Sequence, residues 1–409
     1  MVSLNVVIVG AGPAGLAAAW SASQSNANIT LIDQAAQAGG QIWRGGQGYA
    51  PKRYRHLFGQ QTTLHYRKQT HVLGASEQQL YLATPQGPQQ LRYDRLILAN
   101  GARELFLPFP GWTLPKVVGV GGLQALVKGS LPIAGKRVVI AGSGPLLIAV
   151  ASQLKQRGAI IKAVVEQVPI AQLLRFGRSL VGNPTKMLQA AQFAQALANT
   201  PFYVNTWITA AEGEGEVQQV QLNNGQRIEC DYLACSWGLI ANTELAQQLG
   251  CRLEQNFVVV DRSQHTSRDQ VYAVGELTGI GGEDKAVIEG QIAGFVATGN
   301  YQAASQLAQQ QAQARQFSQQ LAASFALRPE LRQLAQANTI VCRCEDVTLA
   351  QLQSQPSWRS AKLQTRCGMG ICQGRVCGGA TQYLFGWSQD SVRFPIHSVS
   401  VADLVMESV

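Results

Sequence analysis

Leu4-Asn5-Val6-Val7-Ile8-Val9-Gly10-Ala11-Gly12-Pro13-Ala14-Gly15 is the stretch whose reading decides the fold. An apolar run, Leu4–Val9, reads as a buried strand that passes straight into Gly-x-Gly-x-x-Gly. An Ala-rich stretch to about Gln24 follows as a helix, and a second strand, Asn28–Ile32, ends at Asp33, eighteen residues beyond Gly15. A βαβ unit of this size, with an acid closing its second strand, has the layout that dinucleotide binding needs. Gly10 permits the tight turn, Gly12 lets a pyrophosphate approach the backbone, and Gly15 lets the helix pack close to the strand. The helix that starts at Pro13 offers free N–H groups from Ala14 onward and a positive dipole end to the anion. Asp33 suits a ribose diol and would repel a 2′-phosphate.

Composition bounds the rest. At 409 residues the chain exceeds one ordinary core and points to two or three domains. Charged residues are 14% and hydrophobic ones 46%, which excludes an extended, charged, disordered protein. The net charge of +9 comes without a Lys/Arg run dense enough for a nucleic-acid arm. Met1–Trp20 lacks a basic n-region and is interrupted by Gly10, Gly12, Pro13 and Gly15. No other stretch reaches ~18 uninterrupted apolar residues, so the expectation is a cytoplasmic protein without a membrane span.

The opening plan repeats. Lys136–Ala141 reads as a strand, Gly142-Ser143-Gly144-Pro145-Leu146-Leu147 as a glycine turn, Leu146–Arg157 as a helix, and Ile160–Val165 as a strand closed by Glu166. Strand-then-glycine junctions recur at Leu96–Gly101 and Tyr232–Gly238. Leu64–Leu73 and Gln79–Thr84 alternate as an antiparallel sheet would. The fold expected is α/β: two nested Rossmann-like dinucleotide-binding domains plus a small C-terminal domain. The expected boundaries are 1–112 with 251–300 for the first domain, 113–250 for the inserted second one, 301–338 for a Gln/Ala-rich helical connector, and 339–409 for the C-terminal domain and tail.

Downstream residues favour FAD at the first turn. Gly39-Gly40-Gln41-Ile42-Trp43, Gly101 and Val271-Tyr272-Ala273-Val274-Gly275-Glu276 resemble the spaced motifs of two-dinucleotide-domain, glutathione- and thioredoxin-reductase-like flavoenzymes. That resemblance implies that Gly40 and Gln41 lie near the flavin and that Glu276 takes the ribityl chain. A helix from near Lys285 carries Gly290, Gly294 and Ala297 on one face, suited to very close packing. No paired-cysteine motif lies between Gly10 and Asn100 or between Gly142 and Glu166, so disulfide reduction is not expected. In the second turn, Leu147 stands where the third glycine belongs. Gly142, Gly144 and Glu166 leave open either an adenine nucleotide (ATP or NAD) or an empty relic. No arginine follows Glu166, which disfavours NADPH.

Five of the eight cysteines crowd into the last fifth of the chain, while Cys230, Cys235 and Cys251 read as small buried hydrophobes. Cys342-Arg343-Cys344 and Cys372-Gln373-Gly374-Arg375-Val376-Cys377 give CxC, 27 residues, then CxxxxC. Thiolates are the soft ligands of iron–sulfur clusters, and a CxC pair cannot close an unstrained disulfide. Zinc is the rival, with a usual Cys-x₂₋₄-Cys pairing. Cys367, on a strand-like run Lys362–Arg366, reads as the bystander or a reserve.

Thr339–Gly379, with Cys-Arg-Cys-Glu-Asp-Val-Thr and Thr-Arg-Cys-Gly-Met-Gly-Ile-Cys-Gln-Gly-Arg-Val-Cys-Gly, resembles the bacterioferritin-associated-ferredoxin-like [2Fe–2S] domain. Such a domain ends the large flavin subunits of the opine oxidase, hydrogen cyanide synthase and D-hydroxyproline dehydrogenase family. The resemblance implies cluster ligands at Cys342, Cys344, Cys372 and Cys377. It also implies a hetero-oligomer in which a flavin-containing beta subunit oxidises an amine or imino acid, with room for a small ferredoxin-like gamma subunit. This chain would then relay electrons through FAD and cluster, and no catalytic acid–base set is marked in it. Two other classes stay open: a self-sufficient NADH-dependent flavoprotein reductase, and a non-enzymatic iron–sulfur carrier or scaffold.

Overall fold

The strand Asn5–Val9 is apolar throughout because both of its faces are covered, as parallel sheets require: Val6 to Val9 are at most 5% exposed. It pairs in parallel with Asn28–Ile32 (Val7 beside Thr30) and with Arg95–Leu98 (Ile8 beside Ile97). Val271–Ala273 and Leu64–Arg67 complete a five-stranded sheet in the order 271–273, 95–98, 5–9, 28–32, 64–67. The computed structural model describes residues 4–44, 50–58, 64–180, 184–389 and 392–405. It divides into two units: Met1–Arg103 with Ile240–Gln319 and Asp390–Val409, and Glu104–Leu239 with Gln320–Gln389.

In the first unit, the helices Pro13–Ala22 and Gly282–Ala297 pack backbone to backbone. A Cβ on Gly290 would stand 2.1 Å from the Ala14 carbonyl oxygen, and one on Gly294 2.3 Å from that of Ala18. The second helix starts at Gly282, one turn before Lys285, and Lys285 itself lies inside it. Its Nζ donates to the Gly275 carbonyl, to Thr278 Oγ1 and to Glu289 Oε2, all within 2.9 Å.

One expectation is corrected here. Leu64–Arg67 is not antiparallel but the parallel edge strand, because Leu64 is buried beside Ile29. The antiparallel sheet is His71–Ser76, Gln79–Thr84 and Gly87–Arg92. A four-residue alternation suits a half-covered edge strand in either direction, so the pattern does not decide between them.

The second unit repeats the plan with strands Phe202–Tyr203, Ile160–Glu166, Arg137–Gly142, Tyr232–Ser236 and Val117–Gly119, all parallel. Leu147, in the third-glycine place of the helix Pro145–Gln156, is fully buried in an apolar cluster with Val120, Val138 and Ala234. The connector region holds the helices Tyr301–Ser305 and Ala308–Ser324, with a 3₁₀ turn opening at Pro329.

The cysteine segment is a hairpin, Ile340–Cys342 with Val347–Thr348, followed by helices Leu349–Gln353, Trp358–Thr365 and Cys377–Phe385. Lys362–Arg366 is therefore the end of a helix rather than a strand. Ser357 caps its start by accepting from the Ser360 N–H, and Arg366 at φ +64° ends it. Cys230, Cys235 and Cys251 are buried, and burial pushes all three thiols up. No helix among the described residues is long and apolar enough to cross a membrane.

The tightest helix contact sets a stability prediction. Gly290→Ala forces a methyl group into the Ala14 carbonyl and is expected to cost about 1–3 kcal/mol or more, read by urea unfolding. Gly177→Ala, whose Cβ meets nothing within 4 Å, is the control and should not lower stability.

Candidate functional site

The first glycine turn is shaped by contacts that leave no space for a side chain. Gly10 has φ +107°, and a Cβ on it would lie 2.2 Å from the Ala99 carbonyl oxygen; one on Gly15 would lie 1.7 Å from that of Gly10. Gly12 caps the helix without any side-chain hydrogen bond, and Pro13 occupies its first turn, so backbone donors at Ala14 and Gly15 face outward for an anion. Gly40 (φ +58°) comes so close to Gly12 that its Cβ would stand 2.8 Å from the Gly12 Cα, placing the 39–43 loop along the same turn. Asp33 accepts from the Ala11 N–H at 2.6 Å and the Ala35 N–H at 2.7 Å, which fixes its carboxylate beside the turn.

Gly101 (φ +66°) has open space where a Cβ would be, and the Oδ1 of neighbouring Asn100 is buried without a protein partner. A Cβ on Gly275 (φ +72°) would stand 3.0 Å from that of Ala14, so the 271–276 junction also abuts the first helix. Glu276 turns its carboxylate onto the start of Gly282–Ala297, accepting from the Gly281 and Gly282 N–H groups at 3.1 and 3.0 Å. Burial pushes its carboxyl above the usual range, with Lys285 opposing. Gln41 is exposed. The cradle of bare backbone donors, the small Gly40 wall and the orphaned Asn100 oxygen fit a dinucleotide with a second head group.

Sequence reasoning does not single out the residues that brace this site. Trp43 is fully buried, stacks on Tyr54 at 5.4 Å, and donates from Nε1 to Glu283 Oε1 at 2.9 Å. Tyr54 is held in turn by Gln291. Lys285 and Glu289, an i,i+4 ion pair of opposite charges at 3% and 1% side-chain exposure, tie the helix to the Gly275 turn. The sequence does carry a signal for this pair: two charges at helical spacing among small residues that otherwise pack inward.

At the second turn, Gly142 (φ +141°) and Gly144 (φ +102°) are bent as a nucleotide-binding turn would be, and Glu166 accepts from the Gly144 N–H at 2.7 Å and the Val168 N–H at 3.0 Å. The chain itself covers this turn. Ser143 Oγ and Gln167 Nε2 donate to the carbonyls of Phe325 and Ala326, Gln172 to that of Ala323, and Arg328 reaches the Gln167 carbonyl. The Phe325 ring lies 3.9 Å from where a Cβ on Gly144 would be and packs edge-on against Phe176.

The cysteines gather as two groups. The sulfurs of Cys342, Cys367 and Cys377 all lie within 4.8 Å of one another, and each residue is at most 1% exposed. Cys344 is exposed and Cys372 half-buried, and these two lie close enough to interact with each other. Thiol hydrogen bonds from Cys367 and then Cys377 bring Cys342 down to about 2, and the same bond to Cys342 pushes Cys367 up to about 12. Glycines make the loop possible: a Cβ on Gly370 would stand 2.3 Å from that of Cys344, and ones on Gly368 and Gly374 would strike the Trp358 ring at 2.5 and 3.0 Å. Five thiols in one small loop-rich layer form a soft donor set that fits an iron–sulfur centre. Chain spacing alone sets Cys367 aside; the structure brings it into the inner group.

Known proteins resemble this chain in sequence and in fold. Residues 4–312 match the family model of the pyridine nucleotide-disulphide oxidoreductases. The chain belongs to that family. Hydrogen cyanide synthase subunit HcnB of Pseudomonas protegens is 31% identical over 92% of this chain and 91% of its own length. An opine oxidase subunit of Rhizobium meliloti is 29% identical over 98% and 99%. Among solved structures, L-proline dehydrogenase of P. horikoshii superposes over 99% of this chain and 80% of its own, with a TM-score of 0.67 at 18% identity. Thioredoxin reductase of T. acidophilum covers 72% of this chain and 96% of its own, with a TM-score of 0.55 at 23% identity. The chain is thus an oxidoreductase subunit of a flavin-dependent family.

Glu166 gives the second turn a pH signature. Burial outweighs the N–H donors and raises its carboxyl from 4.5 to about 7. Between those values the unfolded chain ionises this residue while the folded one keeps it protonated. Stability is therefore full below about pH 4.5 and falls as pH rises to about 7. Relative to Glu166→Gln, the wild type should lose about 3 kcal/mol across that window in urea titrations. Parallel pH profiles for the two proteins would refute the assignment.

Proposed function

We propose that this chain is the FAD- and [2Fe–2S]-containing electron-transfer subunit of a multisubunit amine or imino-acid dehydrogenase, of the opine, D-hydroxyproline, proline or glycine type. The observation that carries this reading is one polypeptide with both a glycine-turn dinucleotide cradle at Gly10–Gly15 and a five-thiol layer at Cys342–Cys377. Supporting it, HcnB and the opine oxidase relative are both named as subunits and align along nearly the whole chain. FAD when bound exchanges electron pairs, and a [2Fe–2S] centre exchanges them singly.

The chain's own residues supply the housing. Gly10 makes the tight turn, with its own N–H held by the Ile32 carbonyl, Gly12 and Gly15 let the pyrophosphate reach the backbone donors of the helix that Pro13 and Ala14 start, and Asp33 takes a ribose hydroxyl. Gly40, Gln41 and Gly101 line the flavin end, while Gly275 and Glu276 fix the start of Gly282–Ala297. Cys342, Cys344, Cys372 and Cys377 hold the cluster. The partner is a flavin-containing beta subunit that oxidises the substrate, with a small ferredoxin-like gamma subunit as a further member. An NADH-reductase reading needs nicotinamide to reach the second turn, where the Phe325 ring and the 323–328 backbone lie.

Purified anaerobically with its native neighbour subunits, the chain is expected to carry one FAD and about two iron and two sulfide per copy. Stoichiometric zinc would overturn the cluster, and rapid bleaching of FAD by NADH in the isolated chain would favour the reductase. Cys344→Ala and Cys372→Ala complexes should lose amine-driven acceptor reduction while keeping FAD. Turnover at the full rate in those variants would end the relay reading.

A further inference from the structure

Five thiols surround a centre that takes four. We propose that Cys367 is a reserve ligand for the buried end of the cluster, able to replace Cys342 or Cys377 but neither Cys344 nor Cys372. The inference rests on the cluster reading above and goes beyond it in ranking the ligands.

The geometry separates an inner group from an outer pair. Cys342, Cys367 and Cys377 have mutually adjacent sulfurs and are sealed from solvent. Cys344 and Cys372 pair with each other at the rim. Each iron of a [2Fe–2S] centre takes two cysteine sulfurs. The outer iron therefore has two candidates, Cys344 and Cys372, and the inner iron has three.

Cys367 is not in the inner group by the chance of a loose loop. The helix Trp358–Thr365 ends on Arg366 in the left-handed region, and the Cys367 N–H donates to Thr365 Oγ1, which itself donates to the Ala361 carbonyl at 2.7 Å. Gly368 follows at φ +78°, jammed against the Trp358 ring. Positive-φ residues thus flank Cys367 on both sides, so the direction of its side chain is set by backbone that the surrounding core holds in place. A residue needed only to fill space there could be Ala, as its buried neighbours Ala361 and Ala380 are. Cys367 instead places its sulfur within 4.8 Å of those of Cys342 and Cys377.

The substitution balances simply. As an Fe–Sγ bond forms to Cys367 its S–H bond breaks; the proton passes to the thiolate released when the Fe–Sγ bond to Cys342 or Cys377 breaks, or to solvent where that thiol is absent, and no electron moves.

The test uses the full chain, reconstituted anaerobically with ferrous iron and sulfide, reading iron, acid-labile sulfide and visible circular dichroism. Wild type and Cys367→Ala should each hold about two iron and two sulfide. Cys377→Ala should keep at least half of that with an altered visible dichroism. The double variant Cys367→Ala/Cys377→Ala should fall below a tenth, as should Cys344→Ala and Cys372→Ala. Far-ultraviolet dichroism checks folding, and Cys377→Ser replaces any Cys377→Ala protein that fails it. Cys377→Ala as empty as the double variant overturns the proposal, as does Cys344→Ala as well loaded as Cys377→Ala. An empty Cys367→Ala also overturns it, by making Cys367 an obligatory ligand. A wild type without iron overturns the cluster reading together with this one, whereas loaded wild type with empty Cys377→Ala removes this one alone.

Discussion

The contact on which the first unit depends is a backbone-to-backbone approach between two helices from distant parts of the chain. Gly290 sits on the Ala14 carbonyl and Gly294 on that of Ala18, and no larger residue is compatible with either distance. That approach lets the returning segment 271–297 bring Gly275 against Ala14 and close the cradle from the opposite side. It also puts a charge pair where no water reaches. Lys285 directs its three protons to the Gly275 carbonyl, Thr278 and Glu289, which is the satisfaction a buried ammonium requires. The pair therefore fixes geometry more than it adds stability. It locks the start of one helix to the glycine turn at Gly275.

The second unit uses the same βαβ plan for a different end. Its glycine turn keeps the bent backbone, but Leu147 fills the third-glycine place and joins the apolar core. The donors and carbonyls at the mouth are met by the 323–328 segment. Neither helix start has a side-chain cap. The second copy of the design differs in Leu147 and in the segment that covers its mouth.

Much of this is legible in the residues. The strand and turn at Asn5–Gly15, the acid Asp33, the repeat at Arg137–Glu166 and the close-packing face of Gly290 and Gly294 all follow from local pattern and glycine spacing. The failures have a common cause. Leu64–Arg67 reads into the wrong sheet because alternation over four residues does not encode pairing direction. Lys362–Arg366 reads as strand because its helix is capped by Ser357 and ended by a left-handed arginine, signals that a window on the run itself does not weigh. Cys367 reads as either bystander or reserve because ligand spacing counts residues along the chain, whereas its side chain is placed by a turn. Trp43, Lys285 and Glu289 depend on distant partners or on burial, neither of which a local window contains.

The anchoring of Ala323–Arg328 has a consequence for how the molecule tolerates change. Those hydrogen bonds, with Tyr383 Oη donating to the Arg328 carbonyl and Trp112 Nε1 to that of Ile340, moor both ends of the stretch leading into the cysteine hairpin. Extra residues near Gln306 lie ahead of the mooring and leave the spacing between Arg328 and the cysteine hairpin unchanged. The same insertion between Arg328 and Ile340 falls between two anchored carbonyls, so this short span acts as a ruler that sets where the hairpin begins.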